Sequence, residues 1–224
     1  MTAATPNQAG PRLPIGGTSL QGRIADAAIE LFYSRGALAT TVRDITAACG
    51  LTPGALYNHF SSKEQLLYVL VRDIHLLADA GLAAAVAGAD PEPAAQLAAA
   101  VRFMVWQAGA QRRPSLVANR EFVTLSESRR EEVTAIRRRL RSQFADILLA
   151  GCRAGVFSLV GGQDRLAAAL TANAIGMLCA NISEWTRDDY PEPLADLQDR
   201  YVDMALRLAG ARRDERGGTL TAAG

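Results

Sequence analysis

The stretch from Thr41 to Glu64 constrains this chain more than any other, because it writes helix starts and a tight turn in close succession. Thr41, with Asp44 three residues on, makes a capping-box start, and Gly50 ends the short helix that follows. Leu51 fills the turn, Thr52 caps a further helix, and Pro53 takes its first position, where the missing N–H costs nothing. Leu56 and Phe60, four residues apart, give that helix one buried stripe. Ser62 with Gln65 then opens a longer helix that turns Leu66, Leu67, Leu70, Ile74 and Leu77 inward and frays from Gly88 to Pro93. The spacing predicts a helix-turn-helix whose first member buries Ile45, Ala48 and Cys49. A helix from Ser19 to Gly36 precedes it, with Ile24, Ala27, Ala28, Leu31 and Phe32 on one face.

The rest of the chain follows the same period. Helices are expected at 94–110, 114–124, 127–154, 163–187 and 193–209, with Pro114, Ser126, the Gly155 to Gly162 turn and Pro191 to Pro193 between them. No run alternates as a strand does, so the fold class is all-α with about nine helices. The domains follow as a flexible arm at 1–18, a helix-turn-helix at 19–65, a helical ligand-binding and dimerisation domain at 66–210, and a flexible tail at 211–224.

Composition narrows the functions. The formal net charge of +1 excludes a non-specific basic coat for nucleic acid, so any such contact must be local. Within 20–70, Arg23, Arg35, Arg43 and Lys63 are balanced by Asp26, Glu30, Asp44 and Glu64, which adds Arg12 of the arm as a candidate contact. Cys49, Cys152 and Cys179 fit neither a disulfide framework nor a zinc site and read as small core residues. No cofactor or metal is expected, no stretch is read as crossing a membrane, and the absence of a secretory signal in Met1 to Gly17 points to the cytoplasm. His59 and His75 are the only histidines, and no catalytic serine elbow or phosphate loop is present, which disfavours an enzyme.

With Leu56 and Phe60 inside, Ala55, Asn58 and His59 point outward and Tyr57 lies along the flank. Such a helix suits the major groove of DNA. Arg43 and the sole lysine, Lys63, a mobile cation beside the phosphates, would position the protein. Asn58 suits adenine, and Thr52 or Ala55 a thymine methyl group. The runs T-T-V-R-D-I-x-x-x-x-G and L-Y-x-H-F-x-x-K-E-x-L, within residues 20–70, resemble the TetR family. That resemblance implies operator contacts from Arg43, Tyr57, His59 and Lys63, chiefly to phosphates, with Thr52, Gly54, Ala55 and Asn58 at the groove.

A single small reader makes few base contacts, so a symmetric dimer is expected. Leu194, Leu197, Tyr201, Met204 and Leu208 form a stripe on the last helix. The helix before it is apolar on two faces, through Leu166, Leu170, Asn173 and Met177, and through Ala168, Ala172, Ile175, Cys179 and Ile182. The family resemblance implies a four-helix interface built from these two helices. Phe103, Trp106, Gln107, Phe122, Phe144, Met177, Asn181 and Trp185 are the candidate effector contacts, with Met104, Leu140, Asn119 and Asn173 beside them. The arginine run Arg137, Arg138, Arg139 and Arg141, with Arg129 and Arg130 upstream, reads chiefly as a solvated face interleaved with Glu127, Glu131 and Glu132, the alternative being that it attracts an anionic ligand such as an acyl-CoA. The A-G-V-F turn and the tryptophan near Pro191 are similar to TetR-type regulators of lipid metabolism, which implies an acyl-CoA or lipid-like effector. The expected function is a repressor released from a palindromic operator by a small hydrophobic effector. A TetR-type activator and a DNA-bound interaction protein of nucleoid-occlusion type are the alternatives.

Overall fold

The computed structural model describes residues 19–211 except Asp188. The expected arm, with Arg12, and the tail beyond Ala211 lie outside the described residues. Among those described, every regular element is helical. The α-helices are α1 (Leu20–Ala39), α2 (Val42–Ala48), α3 (Pro53–Tyr57), α4 (Lys63–Ala87), α5 (Pro93–Ala110), α6 (Arg112–Glu121), α7 (Glu127–Arg153), α8 (Arg165–Trp185) and α9 (Leu194–Leu208). A 3-10 turn, Phe122–Thr124, closes α6.

Local chemistry explains the ends. The Ser19 hydroxyl accepts from the Gly22 amide, and Thr41 and Asp44 form a complete capping box. Ser62 accepts from the Gln65 amide, while the Gln65 side chain reaches back to the Ser61 amide at 2.5 Å. Gly36 breaks the helical conformation at φ 80°, as expected, and a last turn then carries the chain to Ala39. Pro114 lies within the first turn of α6 rather than between helices, a position where its missing N–H is tolerated.

One hydrophobic core holds α1 to α4 around Ile24, Phe32, Ile45, Leu56, Phe60 and Leu66, and extends into Val117, Leu125 and Val133. On α2, Thr46 is buried and Ala48 is exposed, the reverse of a simple apolar reading. Thr46 satisfies its hydroxyl on the Val42 carbonyl at 3.0 Å, so a polar side chain can enter. The second core packs α5 against α4, α7, α8 and α9. Helix α4 runs unbroken through both cores, with Leu66 and Leu70 in the first and Leu82 in the second.

Of the stripe expected on α9, Leu197 and Tyr201 are buried, whereas Met204 and Leu208 stay exposed. Ala168, Ala172, Ile175, Cys179 and Ile182 of α8 enter the core. The opposite face leaves Leu166, Leu170 and Met177 respectively 67%, 63% and 65% exposed. Contrary to the sequence expectation, α8 is long and apolar enough by composition to cross a membrane. Its two apolar faces, one in the core and one uncovered, account for that composition. The three cysteines are buried and free, and burial pushes the Cys179 thiol up to about 12.

Candidate nucleic-acid interface and adjoining cavity

The outward face of the helix-turn-helix begins with the turn itself. Gly50 takes φ +66° between α2 and α3, and the Arg23 guanidinium donates to the Cys49 carbonyl at 2.7 Å, fixing the turn to α1. Leu56 on α3 and Phe60, which falls in the turn after α3 rather than on it, anchor the motif, and Thr52, Gly54, Tyr57, Asn58 and His59 face outside with Ala55 half-buried. Arg43, on α2, is exposed on the same motif and has no ion-pair partner among the described residues.

Lys63 behaves differently from the mobile cation expected. Its ammonium donates to the carbonyls of Ala37 at 2.6 Å and Thr40 at 2.7 Å, at the C-terminal end of α1. The side chain thus ties the start of α4 to the end of α1, with one donor of the ammonium left over.

The charge balance read along residues 20–70 also changes in three dimensions. Arg113 of α6 pairs with Glu30 at 2.6 Å, and Arg129 of α7 pairs with Glu64 at 3.0 Å. Asp44 is held by the Thr41 amide and hydroxyl and by Arg35, which keep its carboxyl below the ordinary range. Three acids are thereby engaged while Arg43 is not.

Behind this surface, α4, α5, α6, α7 and α8 line a partly open cavity of about 140 Å³, with exposed Asn173 and Met177 of α8 at its edge. Gln107, Phe144 and Met177 of the effector candidates line it, together with Met104, Asn119, Leu140 and Asn173. Five candidates lie elsewhere. Phe103 turns toward α4, where only a glycine fits: a Cβ on Gly81 would lie 2.2 Å from its ring. Trp106 is half-buried beside Phe103, with ring centroids 6.1 Å apart. Phe122 packs on the helix-turn-helix core, because the 3-10 turn swings it away from the face of α6 that meets the cavity. Asn181 is exposed, and Trp185 stacks edge-on against Tyr190 at 5.3 Å at the exposed end of α8.

Three titratable cavity residues were not among the effector candidates of the sequence reading. Arg137 and Arg141, read there as part of a solvated run, line the cavity one turn apart on α7. The third, His75, is buried, and its Nδ1–H donates to the Val71 carbonyl at 2.7 Å. Burial, with the nearby Arg137 charge, pushes its pKa down to about 4 and keeps the ring neutral. The signal available for the arginines was their spacing of four residues, which puts both on one face.

The cavity connects to the outer surface through short contacts. The Arg137 guanidinium lies over the Phe122 ring, 4.7 Å from its centroid. The neighbouring Glu121 is buried and accepts from the Ala37 amide at 2.9 Å. The Ala37 carbonyl is in turn one of those that hold Lys63.

Comparison with known proteins agrees with this architecture. Residues 24–69 match the family described as bacterial regulatory proteins, tetR family, and residues 90–209, more than half of the chain, match the tetracyclin repressor-like C-terminal domain. The chain is 41% identical over 63 residues to the HTH-type transcriptional repressor KstR2 of Mycolicibacterium smegmatis, covering 28% of this chain and 31% of that protein. The match therefore spans about a third of that relative's length. It is 32% identical over 132 residues to the HTH-type transcriptional regulator BetI of Rhizobium meliloti, covering 58% and 63%. A solved bacterial regulatory protein of the tetR family from Rhodococcus RHA1 superposes with TM-score 0.77 at 31% identity, over 86% of this chain and 97% of that one. The structure of AibR in complex with isovaleryl coenzyme A and operator DNA shares the fold, with TM-score 0.73 at 21% identity over 84% and 97%. The chain belongs to the tetR family of bacterial regulatory proteins.

Proposed function

We propose that the protein is a homodimeric repressor in the cytoplasm that holds a palindromic operator until a small hydrophobic effector enters the cavity. The observation that carries this reading is the joining of an outward helix-turn-helix to a cavity between helices through α4 and α6, helices that belong to both. Arg43, Tyr57, His59 and the remaining donor of Lys63 meet phosphates, while Thr52, Gly54, Ala55 and Asn58 face the groove. The first group positions the protein; the second reads sequence.

The second copy covers the exposed apolar face of α8 and α9, through Leu166, Leu170, Met177, Met204 and Leu208. Dimerisation through this face sets the separation of the two readers, which must match successive major grooves about 34–36 Å apart. An effector among α4 to α8 presses on α6 and α7, and the chain Arg137, Phe122, Glu121, Ala37 carries the displacement to the end of α1. To switch the operator off, the effector needs several kcal/mol of differential affinity between the two states. The AibR structure, with an acyl-CoA and operator DNA on this fold, supports the pairing of functions.

Genome-wide mapping of bound sites tests the reading. A repressor of this kind occupies a few promoters at inverted repeats, and its deletion raises transcription of the adjoining genes. Binding scattered along the chromosome with no change in transcription would contradict it.

A further inference from the structure

The charges around the cavity do not balance, although several cations elsewhere on the same helices are paired. Arg139 of α7 reaches Asp79 at 3.0 Å, Arg129 of α7 reaches Glu64 at 3.0 Å, and Arg120 of α6 reaches Glu184 at 2.6 Å. Arg137 and Arg141 both line the cavity, yet neither has an ion-pair partner among the described residues. No aspartate or glutamate among the described residues lines the cavity with them. Two half-buried guanidinium groups one helical turn apart repel each other and lose hydration, and both lower the affinity of Arg137 for its proton. An arrangement of this kind is stabilised when an anion arrives between them.

The remaining lining defines the rest of the ligand. Met104, Leu140, Phe144, Met177 and Ala78 offer an apolar bed. His75 is kept neutral, and with Nδ1–H committed to Val71 its Nε2 has no hydrogen-bond partner among the described residues, so the ring adds an acceptor and no cation. Gly176 leaves open space where a side chain would stand. A volume of about 140 Å³ is close to that of an engineered cavity, roughly 150 Å³, known to take one benzene ring.

We propose that the cavity takes a small organic carboxylate, with its acid group between Arg137 and Arg141 and a ring-sized or branched apolar body on Leu140, Phe144, Met104 and Met177. This rests on the reading of the cavity as the effector site and narrows the effector from any hydrophobe to an acid. Because Arg137 also lies over Phe122, beside the Glu121 that grips α1, the anion acts on the arginine nearest the helix-turn-helix. The negative charge has two sources, a free carboxylate or the phosphates of a coenzyme A thioester. The volume of about 140 Å³ suits the free acid, while a thioester would have to leave its nucleotide outside the mouth of the pocket on the Asn173 and Met177 side.

The test measures binding and thermal stability of the full-length protein with benzoate, phenylacetate, isovalerate and octanoate, each beside its neutral amide and its coenzyme A thioester. At least one acid should bind and raise the melting temperature, with its amide roughly 10- to 100-fold weaker. The Arg137→Met, Arg141→Met double variant should lose that difference, and Arg138→Met, exposed on the same helix, should keep it. Ligand-free Arg141→Met should melt no lower than the unmodified protein, because it relieves an uncompensated repulsion; a lower melting temperature would overturn the argument by making Arg141 structural. Equal binding of acids and amides, binding of none of the acids, or arginine-dependent binding of thioesters alone would also overturn it. The operator separates the two readings. An acid that binds through the arginines without releasing operator supports the anion site and defeats the inducer reading, whereas a neutral hydrophobe that releases operator does the reverse.

Discussion

The Glu121 carboxylate at the end of α6 accepts a hydrogen bond from the Ala37 amide at the end of α1, 2.9 Å away and 84 residues distant in sequence. Ala37 is gripped on both sides, because its carbonyl accepts from the Lys63 ammonium at 2.6 Å. One residue of α1 therefore meets the last residue of a cavity-lining helix and the first residue of α4. Displacement of α6 has a direct mechanical route to the helix-turn-helix.

Replacing Glu121 with alanine should remove a buried bond to a charged group and lower folding stability by roughly 1–3 kcal/mol. The Glu121→Gln variant retains an acceptor and should recover part of the loss. The coupling account predicts more: Glu121→Ala should blunt the effect of effector on operator affinity, read by titrating both ligands. An unchanged response would remove Glu121 from the route.

Lys63→Ala should both destabilise the fold, by roughly 1–3 kcal/mol, and weaken all DNA sequences alike, since two α1 carbonyls and one phosphate contact are lost together. Arg43→Ala, exposed and unpaired among the described residues, should weaken DNA alone and reduce the salt slope by about one. Thermal melts beside salt-dependent binding distinguish the two variants.

Asn58→Ala should alter which operator positions are preferred, by roughly 1–3 kcal/mol at one base pair, without changing the salt slope. Binding to a set of single-base operator variants reads this directly. A uniform loss across the set would make Asn58 a backbone contact.

Leu166→Glu with Leu170→Glu places two charges on the exposed face of α8. The product should sediment as a folded monomer and lose operator binding. A dimer that survives both substitutions would move the interface elsewhere.

The imidazole of His75 makes stability depend on pH. Its pKa lies at about 4 when folded and at 6.5 otherwise, so between these values the unfolded chain binds a proton that the folded one does not. Stability is therefore complete above about pH 6.5 and falls as pH drops toward 4, by up to about 3 kcal/mol. Arg137 on the facing helix opposes protonation, while Asp73 and Asp79 on α4 are engaged by Arg72 and Arg139. His75→Gln should flatten this part of the urea-denaturation profile, and an unchanged slope would assign it to other groups.

The helix starts at Thr41 and Ser62 and the turn at Gly50 were legible in sequence because capping and left-handed geometry act over a few residues; α3 also begins after Thr52 as expected, but with Pro53 at its first position and no side-chain cap from Thr52. Faces of short helices were less so: α2 has two turns, and whether Thr46 or Ala48 enters the core depends on how α1 packs against it. The cavity was harder still, since five helices set its boundary. Arg137 and Arg138 are neighbours in sequence, yet one lines the cavity and the other meets solvent. Phe122 looked like a ligand contact on a continued helix; the 3-10 turn sends it into the other core. Lys63 was found by position, but its two carbonyl partners lie more than twenty residues away and leave no local trace.

Selection of bound duplexes from a random DNA pool by the full-length protein reads out paired operator recognition. A homodimer should recover an inverted repeat whose half-site centres lie about one helical turn apart, released when the cavity is filled. Recovery of single, unpaired half-sites, or of no preferred sequence, would contradict it.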